Sequence, residues 1–142
     1  MFDETSSLLL DTSFIIGLFY GDKLTVDKVY GVLPALITVD HLYINNYIMS
    51  ETLTVLSQRI GKKKAKASLE FISGQRVDLI DVSRKTEDLA FDEFFKIERK
   101  DISFVDVMSV LQAKEKSIGG VLTLDKHFAY LGKKYNVKIF SI

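Results

Sequence analysis

The stretch SLLLDTSFIIGLFY, residues 7–20, decides how the rest of the chain is read. Ser7 to Leu10 form a short apolar run with the length of a strand buried on both faces. The run stops on Asp11, and 13–20 then carry apolar residues at the spacing of a helix. Asp, Thr and Ser fill N-cap positions routinely, so Asp11, Thr12 or Ser13 has a local explanation as a cap. Acids at equivalent strand ends elsewhere in the chain would give Asp11 a second meaning.

Further along, short runs rich in Leu, Val and Ile alternate with longer helical stretches. Strands are expected over 41–44, 77–80, 120–124 and 138–140. A helix over 22–33 follows Gly21, with Pro34 placed just past its end, and another over 46–59 ends before Gly61. The stretch 62–72 carries Ala65, Leu69 and Ile72 on one face and stops at Gly74. Helical spacing recurs over 86–97 through Leu89, Phe94 and Ile97, and over 103–116 through Val107, Val110, Leu111 and Lys114. This order predicts an α/β fold: a mainly parallel central sheet of four to five strands with helices on both faces.

The 142 residues suit one compact domain spanning 1–142, and one proline and eight glycines leave little room for a linker. No internal repeat is visible. Lys plus Arg equals Asp plus Glu at 19 each, so any polyanion must be bound locally rather than by net charge. The absence of cysteine excludes disulfides, thiolate metal sites and thiol catalysis. The opening residues MFDETSS lack the order of a signal peptide, and no apolar run reaches the roughly 18 residues that span a bilayer. A soluble, cytoplasmic protein without membrane association is the expectation.

Asp125 follows the fourth expected strand as Asp11 follows the first. In an open parallel sheet, ligands bind beyond the carboxyl ends of the strands, which puts both carboxylates at that crevice. Asp106 lies three residues after Ser103, at the start of the helix that leads into the fourth strand; spacing alone leaves open which sheet edge it occupies. Glu51 sits in an apolar helical segment with Met49, Leu53, Val55 and Leu56 around it, and no charge one turn away pairs with it. Asp106 has a local role in a capping box with Ser103, and Asp125 one as a cap of a short helix around Phe128. Two carboxylates ~4 Å apart repel by about 4 kcal/mol at an effective dielectric of ~20, so convergence of these acids calls for cations. All-oxygen ligands favour Mg²⁺ or Mn²⁺, and two histidines without paired spacing disfavour zinc. Carboxylate-bound metals suit in-line attack of water on a phosphodiester. Ser13 and Thr123 are placed to orient the ligands by hydrogen bonds, or serve as ordinary cap and strand hydroxyls.

With LLLDTSF, SETL, ISFVDVMSVLQAKEKSIGGVLTLDKHF and VKIFSI in view, the chain resembles the PIN-domain family over nearly its whole length, closest to the VapC-like toxin ribonucleases. That resemblance implies a PIN-like three-layer sandwich with Asp11, Glu51, Asp106 and Asp125 as catalytic, metal-ligating acids. Ser13 and Thr123 match its accompanying hydroxyls. It places the helix bearing Asp106 at the active-site edge. It further implies Mg²⁺- or Mn²⁺-dependent endoribonuclease activity on RNA, an inhibitory antitoxin protein and a homodimer. Asp101 is an added acid, read either as a surface or helix-entry residue or as one that assists a metal. The alternatives are a catalytically silent scaffold that binds RNA or protein, and an RNA-processing nuclease outside a toxin-antitoxin system. Arg59, Lys62 and Lys63 are candidates for RNA backbone contact, which sets affinity rather than sequence choice. Phe14, Phe19, Tyr20 and Tyr30 are read either as core or as an antitoxin or dimer groove.

Other chemistries fail on spacing. GKKKAKAS lacks the first glycine of a phosphate-binding loop, SIGGV is no dinucleotide fingerprint, and no G-x-S-x-G is present. DTS lacks the second aspartate of an aspartyl-phosphate enzyme.

Overall fold

In the computed structural model, which describes residues 1–2 and 5–142, Leu8, Leu9 and Leu10 are buried, as a central strand requires. That strand, β1 (Ser7–Leu10), pairs on one side with β2 (His41–Asn45) and on the other with β4 (Val121–Thr123). Beyond them lie β3 (Val77–Ile80), against β2, and β5 (Ile139–Ser141), against β4. Every pairing is parallel, and the order is β3-β2-β1-β4-β5. The chain therefore builds outward from β1 through β2 to β3, then returns to the other side of β1. The crevice that such a reversal opens lies between β1 and β4, at their carboxyl ends.

The connections are helical: α1 (Thr12–Phe19) and α2 (Lys23–Leu36), α3 (Asn46–Ile60) and α4 (Lys62–Ser73), α5 (Arg84–Lys96) and α6 (Phe104–Glu115), then α7 (Phe128–Tyr135) before β5. Helices cover both faces of the sheet and complete the three-layer α/β sandwich. Gly61, at φ 86°, takes the backbone conformation that lets α3 turn directly into α4.

Several local readings are corrected. Pro34 lies inside α2, not beyond it. It forfeits one helical hydrogen bond close to the end, and the Ile37 N–H still reaches the Leu33 carbonyl at 3.1 Å. Leu89 is exposed because α5 buries Thr86 and Ala90, small residues that let it pack closely on α6. Lys114 is exposed on α6, where residues 106–113 are all buried. The fourth strand is shorter than expected, and the N-cap position of α7 falls on His127, whose side chain makes no cap hydrogen bond, while the Asp125 carboxylate accepts the His127 N–H.

Candidate active site

Sequence places Asp11 one residue after β1 and Asp125 two residues after β4, so the pairing of those strands brings both acids to one sheet edge. Since α6 leads into β4 within a parallel sheet, its first turn, which carries Asp106, lies at that same edge.

Asp11 is the N-cap of α1, and its Oδ2 accepts from the Ser13 N–H at 3.2 Å. The same oxygen accepts from the Ser13 hydroxyl at 2.7 Å and from the Thr123 hydroxyl at 2.9 Å. Each hydroxyl has one proton, and both serve the carboxylate. Their lone pairs take the backbone N–H groups that follow β4, Leu124 onto Ser13 at 3.0 Å and Asp125 onto Thr123 at 2.9 Å. Ser13 and Thr123 thus join the two strand ends around Asp11. Burial pushes the Asp11 carboxyl above its ordinary range, and the hydroxyl hydrogen bonds oppose that rise.

Asp106 completes the capping box with Ser103: its Oδ2 accepts the Ser103 N–H at 3.0 Å, and the Asp106 N–H donates to the Ser103 hydroxyl at 3.1 Å. The local role is therefore real, yet it does not exhaust the residue. Burial raises the Asp106 carboxyl to about 6, with the charges of Asp11 and Asp125 adding to the rise. Asp125 is half-buried, and its Oδ1 accepts the His127 N–H at 2.9 Å while facing His127 Nδ1 at 2.8 Å.

The fourth acid is placed differently. The buried face of α3 runs through Ile48, Thr52 and Leu56, and half-buried Glu51 sits at its margin. Its side chain makes no hydrogen bond or ion pair with another described residue. The helix that carries it is anchored to α6 by Asn45, its N-cap, whose Nδ2 donates to Gln112 Oε1 at 3.0 Å and to Ser109 at 3.2 Å. Gln112 in turn donates to the Asp81 carbonyl at 3.1 Å.

Arg59, Lys62 and Lys63 lie where α3 meets α4, all exposed. The Arg59 guanidinium stands 5.9 Å from the ring centre of Tyr20, the residue that ends α1. Asp11 caps the opposite end of that helix, and at 1.5 Å per residue the two ends are roughly 13 Å apart.

The donor chemistry fits a hard divalent cation. Asp11 and Asp106 each receive their hydrogen bonds on Oδ2, and Asp125 receives its own on Oδ1, so each retains a second oxygen outside these bonds. Among the described residues, no three acids or histidines form a group able to hold a metal ion.

Two features escaped sequence reading. One is the set of contacts that joins Arg99 to Asp101 and His127 to Asp101 and Asp125, for which R-x-D and D-x-H spacings are the only trace in the sequence. The Asn45–Ser109–Gln112 network was equally silent, though a Ser and Gln three apart in an apolar helix is a signal of internal pairing.

An apolar groove of about 310 Å³ lies away from these acids, lined by residues that include Phe14, Phe19, Tyr30, Ile37 and Phe71. Phe14 is fully buried at its floor, Tyr30 is exposed at its rim, and Tyr20 is not part of it. Among the described residues, no helix is long and apolar enough to cross a membrane.

A family model described as PIN domain matches residues 8–134. The fold is similar to that of Mycobacterium tuberculosis VapC20, described as a sarcin-ricin loop cleaving toxin. The two are 22% identical, with 89% of this chain and 95% of that one covered, at a TM-score of 0.79. It is similar also to a chain of VapBC2 from Rickettsia felis, solved with a DNA fragment from their promoter. Here identity is 18%, coverage 94% and 97%, and the TM-score 0.70. A chain of a toxin-antitoxin complex from Klebsiella pneumoniae is 16% identical, with coverage of 96% and 100% and a TM-score of 0.64. No curated protein sequence matches the chain.

Proposed function

Because this chain belongs to the PIN-domain family, we propose that it is a metal-dependent endoribonuclease that hydrolyses RNA phosphodiester bonds as the toxin of a toxin-antitoxin pair. The observation that carries this reading is the side-by-side closure of the β1 and β4 ends, with Asp11, Asp106 and Asp125 near enough for their charges to interact.

Asp11, Asp106 and Asp125 would hold Mg²⁺ or Mn²⁺, with Glu51 as the fourth acid. When bound, the cation supplies an acidified water and offsets negative charge as phosphorus is attacked in line. Ser13 and Thr123 hold Asp11 by one oxygen, fixing its direction. Burial raises the carboxyls of both Asp11 and Asp106, Asp106 to about 6, and a bound cation would favour their charged forms. Arg59, Lys62 and Lys63 extend the surface toward an RNA backbone, contributing affinity through phosphate contacts.

The apolar groove offers a seat for an antitoxin segment, in keeping with the toxin-antitoxin complexes among the structures of similar fold. A homodimer belongs to the same reading.

Cleavage of a structured RNA pool by the purified chain, with Mg²⁺, with Mn²⁺ and with EDTA, tests the proposal. Metal-dependent cutting that disappears in Asp106→Asn is the expected result; cutting unchanged by that substitution refutes the site.

A second reading has its own observation. The lack of a three-acid metal group among the described residues favours a catalytically silent scaffold that binds RNA or protein. Calorimetric titration separates the two: no Mn²⁺ binding at millimolar concentration selects the scaffold. An RNA-processing nuclease outside any toxin-antitoxin system shares the chemistry and differs only in partner.

A further inference from the structure

Asp101, two residues before the N-cap of α6, is gripped by Arg99 through two hydrogen bonds, Nε to Oδ1 at 3.0 Å and Nη2 to Oδ2 at 2.6 Å. Arg99 is held from a second side, because its guanidinium lies 4.9 Å from the ring centre of Tyr130 on α7. Asp101 Oδ2 also faces His127 Nε2 at 3.3 Å, and the other ring nitrogen, Nδ1, faces Asp125 Oδ1 at 2.8 Å. Four side chains therefore form one row, from the loop before α6 to the loop after β4.

The row contributes little to holding the fold together. The side chains of Arg99, Asp101, His127 and Asp125 are 42%, 37%, 47% and 32% exposed, and water screens pairs of that kind. Its consequence is one of direction. Asp125 Oδ1 accepts the His127 N–H and lies 2.8 Å from the ring Nδ1, contacts that bias the carboxylate's direction and leave Oδ2 outside them. Asp11, held by Oδ2 through Ser13 and Thr123, is oriented by the same device built from different residues.

Resting on the metal-dependent reading above, we propose that Arg99, Asp101 and His127 are positioning residues that orient Asp125 toward a divalent cation. Arg99 fixes Asp101, Asp101 fixes the imidazole, and the imidazole fixes Oδ1.

Calorimetric titration of Mn²⁺ into the full chain tests this, with Asp101→Asn, His127→Ala and the double variant measured beside the wild type. Thermal melting of each metal-free protein accompanies the titrations. Each single variant is expected to bind Mn²⁺ about tenfold more weakly, the loss usual for groups that orient metal ligands. The double variant should bind no more weakly than His127→Ala alone, since links in series fail together. Melting temperatures should barely move. Wild-type binding with equal affinity in the variants overturns the positioning role and leaves the cation site standing, and tighter binding in the variants overturns it too, by making the imidazole a competitor. Losses that add in full, or that follow a collapse of melting temperature, also overturn it. Absence of wild-type binding removes the metal-dependent reading and this proposal with it.

Discussion

The Thr123 hydroxyl donates to Asp11 Oδ2 across 2.9 Å, joining residues 112 positions apart at neighbouring strand ends. This one bond ties the start of α1 to the loop that carries Asp125, because the same Thr123 oxygen accepts the Asp125 N–H. Packing and site geometry are thus one arrangement at this edge.

Thr123→Val keeps the shape and removes the donor to a buried carboxylate. Hydrogen bonds to charged groups are worth about 1.5–3 kcal/mol, so a loss of about 2 kcal/mol is expected in urea unfolding at neutral pH. Unchanged stability would mean that Asp11 does not depend on this bond.

The same substitution at residue 52 should act with the opposite sign. The Thr52 hydroxyl is buried and has no hydrogen-bond partner among the described residues. Thr52→Val replaces an unsatisfied polar atom by a methyl group and should stabilise the chain by about 1 kcal/mol. The midpoint of urea unfolding measures it.

Asp106 gives a pH dependence. Its carboxyl ordinarily titrates at 3.8, and in the folded chain it is raised to about 6. Below the unfolded value it is protonated in both states and carries no penalty; as pH rises through the folded value, the folded state must accept a charge that it disfavours, and stability is lost. Metal-free Asp106→Asn should therefore exceed the wild type by on the order of 2 kcal/mol near pH 8, and the gap should close toward pH 4. Urea titrations in EDTA across that range follow the gap; a difference independent of pH would contradict the assignment.

Asn45 combines a helix cap with a buried side-chain network. Asn45→Ala removes the acceptor for the Ile48 N–H and leaves the Gln112 carbonyl oxygen without the Asn45 donor. A loss of about 3 kcal/mol is expected, the sum of a cap and an uncompensated buried group. Denaturant unfolding checks the magnitude, and the far-ultraviolet spectrum shows whether α3 frays.

Strands were the most legible part of the fold. Ser7–Leu10 reads directly from sequence, since a short apolar run bounded by polar residues has few other uses, and Val77–Ile80 has the length and bounding residues of a strand despite Asp78. Helix surfaces were harder. Leu89 follows the helical period yet faces water, because the contact with α6 is made through Thr86 and Ala90. Pro34 suggests a boundary by its usual effect, whereas its place two residues from the end of Lys23–Leu36 lets the helix continue.

At the candidate site, the types and strand-end placement of Asp11 and Asp125 were set by chain order alone: a buried parallel strand must end in a loop, and that loop faces the crevice. Which acids face one another was decided only by tertiary structure. Asp106 meets the charges of Asp11 and Asp125 because α6 returns antiparallel to the strands, while Glu51, apparently equivalent in sequence, lies at the margin of the α3 buried face. Arg99, Asp101 and His127 show the same limit. Their contacts join separate loops and depend on where α6 and α7 come to rest, and no local propensity encodes the distance between side chains on different elements.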